Sequence, residues 1–184
     1  MVSASLSCAD LLHLYDSIVQ INASDIDFVH YDVVDGCFNN CFVFGDLILE
    51  KIRPICEKPI EVHLAVENVR PYIVPFARAG ADYIAVHYEI DDDLEEIFAL
   101  IRSAGCRPIL AMRSEAIEHI RCMKESIVEN RIPCRIQADG NIHAGTIPQV
   151  IAAGASILTG GTSGLFKGDA ALQENLQRMK EAAL

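Results

Sequence analysis

The chain has 184 residues, 51% of them hydrophobic, a length and composition that suit one compact domain over 1–184. A net charge of −11 argues against a nucleic-acid or anionic-membrane surface, and no apolar run approaches the roughly 20 residues of a membrane span. Seven scattered cysteines, an odd number, read as reduced thiols, and the opening MVSASLSCADLL has no basic segment leading into an apolar one, so a cytoplasmic location is expected.

In chain order, apolar runs predict strands near 2–6, 27–33, 60–65, 82–87, 107–112, 134–138 and 155–159. Amphipathic stretches predict helices near 9–21, 46–55, 69–79, 92–104, 116–130, 144–153 and 169–183. Three segments repeat one another: FARAGADYIAVH, IRSAGCRPILAM and VIAAGASILTGG. Each is a helix end, an Ala-Gly step and a buried strand, with Gly80, Gly105 and Gly154 at the position where φ turns positive. The acidic run from Asp91 to Glu96 suits a helix N-terminus. Asp35-Gly36 suits a tight turn. Cys37 and Cys41 have no second pair at zinc-ligand spacing.

Alternation of this kind means a parallel sheet with covering helices. No Gly-x-Gly-x-x-Gly follows the first strand, which weakens a dinucleotide-binding reading. Candidate ligands at several strand C-termini favour a (β/α)8 TIM barrel. Yet seven strands can be counted where eight are needed, and the shortfall falls around strand six, between about 112 and 118. Loss of an interior strand would leave two long unpaired edges, so a βα unit missing from the sequence is the expected cause.

The chemistry is carried by four side chains on three strand ends. His30 and Asp32 lie two apart in FVHYDVVDG and share one sheet face, His63 stands in IEVHLAV, and Asp139 in CRIQADGN. Two imidazoles and two carboxylates can hold one divalent cation and leave positions open to substrate. The set suits zinc, iron, manganese or cobalt. Gly140-Asn141 and Gly160-Gly161-Thr162-Ser163, with a short helix expected to start at Ser163, offer backbone N–H groups to a phosphate. His87 ends the fourth strand and can orient substrate or a ligand, or simply pack; Ser5 can reach a substrate hydroxyl.

With those residues in hand, the chain resembles the ribulose-phosphate 3-epimerase family, which includes the allulose-6-phosphate and hexulose-phosphate branches. The resemblance runs through ASLSCADLL, VHYDVVDGCF, EVHLAVENVRPYI, ARAGADYIAVHYE, QADGNI and GGTSGLF, in family order over nearly the whole chain. It implies a metal-dependent 3-epimerase of a pentulose or hexulose phosphate. Asp32 and Asp139 would move protons across an enediolate, and Ser5, His87, Gly140, Asn141, Gly161, Thr162 and Ser163 would bind substrate. The implied partner is a small-molecule sugar phosphate, with homo-oligomerisation left open. Val34 and Ala65 stand where the family usually carries methionines, Cys37 where a histidine is common, and NNCFVFG replaces the usual Val-Pro-Asn stretch. No lysine sits at a strand end, which counts against decarboxylase and aldolase relatives. The alternative is a non-catalytic barrel that binds a sugar phosphate or a protein partner.

Overall fold

The computed structural model describes all residues, Met1–Leu184. Seven parallel strands close on themselves in sequence order: β1 (Val2–Ser5), β2 (Phe28–Val34), β3 (Ile60–Ala65), β4 (Tyr83–His87), β5 (Arg107–Arg113), β6 (Arg135–Asp139) and β7 (Ile157–Gly160). The helices are α1 (Leu14–Asn22), α2 (Asp46–Ile52), α3 (Arg70–Ala79), α4 (Leu94–Ser103), α5 (Ile117–Glu129), α6 (Ile147–Ala153) and α7 (Leu172–Ala182). None is long and apolar enough to cross a membrane.

All seven expected strands are present, and the barrel is TIM-like with one strand fewer than the usual eight. The two unpaired edges expected from a lost strand do not occur. β5 pairs directly with β6, from Ile109 against Arg135 to Arg113 against Asp139, and β7 closes onto β1. Full closure satisfies every strand, which is the physical reason that no edge has to be covered.

Two helices differ from expectation. The stretch expected as one helix from residue 9 begins instead with 3₁₀ turns, because the Asp10 carboxylate accepts from the Leu12 N–H and caps Leu11–His13. The helix expected to reach residue 55 ends at Ile52 and continues as a 3₁₀ turn over Arg53–Ile55, where Pro54 removes a backbone donor. Gly80, Gly105 and Gly154 have φ of 109°, 91° and 119°, as the repeat requires. Asp93 caps α4 by accepting from the N–H groups of Glu95 and Glu96.

The main core lies between the strands and the helices, where Val29, Tyr31, Val62, Leu64, Ile84, Val86, Leu110, Ile136 and Leu158 point outward against the helical layer. Alternation sends the other residues of each strand into the barrel. The interior is apolar at its lower end, where Phe28, Tyr83, Ile109 and Ile157 cluster with Ala85 and Ala111. Above that lies a buried polar layer of Ser3, His30, Glu61, Gln137 and Thr159. Ser5, Asp32, His63, His87, Arg113 and Asp139 form the upper rim, at the C-terminal ends of the strands.

Candidate active site

Three of the four expected ligand residues, Asp32, His63 and Asp139, stand on that rim, and His30 reaches up to them from the layer below. One donor atom from each of His30, Asp32, His63 and Asp139 lies within 4.8 Å of all the others. His30 Nε2 is 2.9 Å from Asp32 Oδ1, and His63 Nδ1 is 3.4 Å from the same oxygen and 3.6 Å from Asp139 Oδ2. Register produces this meeting: Asp32 sits beside His63 across β2 and β3. Asp139 arrives from β6 on the far side of the rim. One carboxylate oxygen facing two imidazole nitrogens is a donor set that fits a cation of the borderline type.

Each histidine is held from behind. The His30 Nδ1–H faces Glu61 Oε1 at 3.0 Å, and both side chains are fully buried. Ser3 Oγ and Gln137 Nε2 donate to the second Glu61 oxygen at 3.1 and 2.8 Å. His63 Nε2 lies 2.9 Å from His87 Nε2, and His87 Nδ1 lies 3.0 Å from Glu89 Oε2. A His63 that keeps Nδ1 free for a cation therefore donates from Nε2 to His87, and His87 donates in turn to Glu89. Two buried oxygens, Gln137 Oε1 and Thr159 Oγ1, have no partner.

The electrostatics follow from burial and pairing. Burial by itself pushes the Asp32 carboxyl up, but the neighbouring His30 and His63 imidazoles hold it well below the usual carboxylate range. Burial pushes His30 down, and Asp32 and Glu61 together outweigh it and raise it well above the usual value. Burial, with the nearby His63 imidazole, takes His87 down to about 2 against the pull of the Glu89 carboxylate 3.0 Å from its Nδ1.

Two adjoining hollows open at the rim. One, of about 390 Å³, is lined by Asp32, His63, His87, Asp139 and Gly140, with Phe38, Asn39, Arg113 and Glu115 around its rim. The other, of about 160 Å³, holds Ser5, Gly140, Asn141, Gly161, Thr162 and Ser163 together, and Asp139 and Gly140 line both. Gly140 and Asn141 have φ of 78° and 49°, which turns their backbone out of the strand direction. The helix expected from Ser163 is instead a turn closed by the Phe166 N–H on Gly161 O, and α7 starts only at Leu172. Ser5 is already engaged, since its hydroxyl donates to Asp32 Oδ2 at 3.0 Å, beside Ser7 at 2.6 Å.

Sequence reasoning missed Ser7, Glu61, Gln137 and Arg113. For Glu61 the signal was available, because it lies two residues before His63 and so shares its sheet face. Cys37 and Cys41 are free thiols on the exposed loop after β2.

The two carboxylates and three histidines converge at the C-terminal ends of the strands, the face on which parallel-barrel enzymes build their active sites. Residues 1–116 match the model of the Ribulose-phosphate 3 epimerase family. The ribulose-phosphate 3-epimerase of Methanocaldococcus jannaschii is 30% identical over 216 positions that cover 100% of this chain and 91% of that protein. The enzyme of the same name from Bacillus subtilis is 28% identical, over 88% of this chain and 90% of that protein. The chain belongs to the ribulose-phosphate 3-epimerase family and is an isomerase of the epimerase class.

A chain of 184 residues spread over 216 aligned positions faces relatives that carry residues without a counterpart here. The family match itself stops at Ala116, next to the junction of β5 and α5. Among solved structures, a 3-hexulose-6-phosphate synthase superposes with a TM-score of 0.68 at 12% identity, covering 100% of this chain and 99% of that one. N-(5'-phosphoribosyl)anthranilate isomerase from Pyrococcus furiosus gives 0.62 at 15% identity, over 100% and 98%. At such identities these two speak for the barrel alone.

Proposed function

We propose that the chain is a metal-dependent sugar-phosphate 3-epimerase acting on a pentulose 5-phosphate or hexulose 6-phosphate. The observation that carries this reading is the convergence of Asp32 and Asp139, from β2 and β6, on one hollow with His30 and His63 between them. Inverting a carbon next to a carbonyl requires a base on one face and an acid on the other. One aspartate takes the α-proton and leaves an enediolate, and the other returns a proton from the opposite side. Asp32 suits the role of base by its placement, with its second oxygen fixed by the Ser5 and Ser7 hydroxyls.

His30 Nε2, His63 Nδ1 and one oxygen from each aspartate would hold a divalent ion, which supplies Lewis-acid stabilisation of the enediolate charge. Zinc, iron, manganese and cobalt each suit two imidazoles and two carboxylates. The smaller hollow of Gly140, Asn141, Gly161, Thr162 and Ser163 would take the phosphate on backbone N–H groups, and His87 would face the sugar.

The test is solvent deuterium incorporation at the carbon next to the carbonyl, in metal-loaded protein given ribulose 5-phosphate or allulose 6-phosphate. Exchange with one sugar, abolished by chelation, is the expected result and selects the substrate. No exchange with either, in protein shown to hold metal, overturns the reading and favours a non-catalytic sugar-phosphate-binding barrel.

A further inference from the structure

The opposite mouth of the barrel carries a concentration of positive charge that the epimerase reading does not use. At the N-terminal ends of the strands a cleft of about 430 Å³ is lined by Arg102, Arg107 and Arg135, with Tyr83, Cys106, Pro108, Pro133 and Cys134 between them. Arg107 and Arg135 open β5 and β6 at positions whose alternation points to the barrel interior. Arg102 reaches the same cleft from the last turn of α4. No carboxylate lines it.

The chain has 26 acidic residues against 15 basic ones, so a carboxylate-free lining runs against its overall charge. Of the seven arginines outside the cleft, Arg53, Arg70, Arg113, Arg121 and Arg178 each pair with a carboxylate, and Arg78 and Arg131 do not. Of the cleft arginines, Arg107 donates to the Tyr83 hydroxyl at 3.0 Å and lies 5.5 Å above its ring, and Arg135 donates only to the Met1 thioether. The Arg102 guanidinium is exposed without a partner. Burial raises the Cys106 and Cys134 thiols to about 11, so they bring no negative charge to the walls. Three like charges repel one another around one hollow unless an anion joins them.

We propose that this cleft is a binding site for a small molecule carrying two phosphoryl groups, distinct from the hollow at the other mouth. Guanidinium forks match phosphate oxygens in pairs, and no lysine takes part. The volume is that of a metabolite site. The first and last residues of β6, Arg135 and Asp139, stand about 13 Å apart at a strand rise of ~3.3 Å per residue. One ligand of this size therefore does not span both sites.

Calorimetric titration of the metal-loaded protein tests the site with two probes, fructose 1,6-bisphosphate and ADP. The two arms separate a bisphosphorylated sugar from a nucleoside diphosphate. At least one probe is expected to bind, with affinity that falls as salt is added. Arg102→Gln with Arg135→Gln is expected to weaken that binding about tenfold or more, from the loss of charge-assisted hydrogen bonds. The lysine pair R102K and R135K keeps the charge, loses the fork, and should fall between. Epimerase turnover should be unchanged in every variant, which also reports that they fold. Failure of both probes to bind wild-type protein at millimolar concentration overturns the proposal. So does a glutamine double variant that binds as tightly as wild type.

Discussion

At the scale of single residues the site divides into groups that line the hollows and groups that hold those in place. Asp139 is a quarter exposed and accepts no side-chain hydrogen bond, whereas Asp32 is nearly covered and bound on both oxygens. Asp139→Asn should lower turnover by about 10²–10⁴, the usual contribution of a placed acid–base group. The fold should persist, as near-unchanged circular dichroism and melting would report. Asp32→Asn should be at least as damaging, since Asp32 stands between both candidate histidine ligands, 2.9 Å from His30 and 3.4 Å from His63. A variant that keeps near-normal exchange in D₂O removes that aspartate from the mechanism.

Glu61 acts one layer deeper. It touches no hollow, yet it receives the His30 Nδ1–H and two further donors in a dry interior. Glu61→Gln keeps the shape and removes the charge that orients the imidazole. It should weaken metal binding about 10–100-fold, read by competition with a chromophoric chelator. Unchanged metal affinity would make Glu61 a packing residue only.

At the scale of elements, the glycines after the helices show what local pattern can and cannot convey. The Ala-Gly repeat announces a left-handed backbone at Gly80 and Gly105, and both have it. It does not announce that the two positions differ in surroundings. A methyl group at Gly80 would meet Arg53 Cγ at 2.5 Å, while at Gly105 it would meet nothing within 4 Å. Arg53 cannot retreat freely, because its guanidinium pairs with Asp82 and donates to the Lys58 carbonyl. Gly105→Ala should therefore cost about 1–2 kcal/mol, from backbone strain alone. Gly80→Ala should exceed it, by an amount that denaturant unfolding measures directly. Equal losses would mean that Arg53 moves aside at no cost.

The same division explains how much of the architecture the residues disclosed. Strand positions were legible because apolar runs between Gly and charged turns have few other readings, and the ligand set because His30, Asp32, His63 and Asp139 are ligand-type side chains set within otherwise apolar strands. Glu61 and Gln137 stayed hidden inside strands. Only the register of β3 against β2, and closure onto β6, shows that they share one buried layer with His30. The start of α1 was missed because Asp10 caps a local turn that competes with the helix.

At the scale of the whole molecule the decisive property is closure with seven strands. Counting units puts a shortfall of one βα unit around β5 and β6, and a gap there would leave two rows of unpaired N–H and C=O groups on the side of the barrel that supplies Asp139. Closure instead pairs Leu110 with Ile136 and Met112 with Ala138, all of them buried. The two alternatives differ in hydrogen exchange. In a closed barrel the backbone amides that lie between β5 and β6 open only with the global unfolding of the domain, as those between β2 and β3 do. In a barrel with a seam they exchange through local opening, orders of magnitude faster than the rest of the sheet. Protection of β5 and β6 equal to that of β2 and β3 is expected. Exchange at that seam faster than elsewhere would mean that Asp139 is carried on a mobile edge. Its distance to His63 would then not be held at the 3.6 Å on which the cation site and the two-carboxylate mechanism depend.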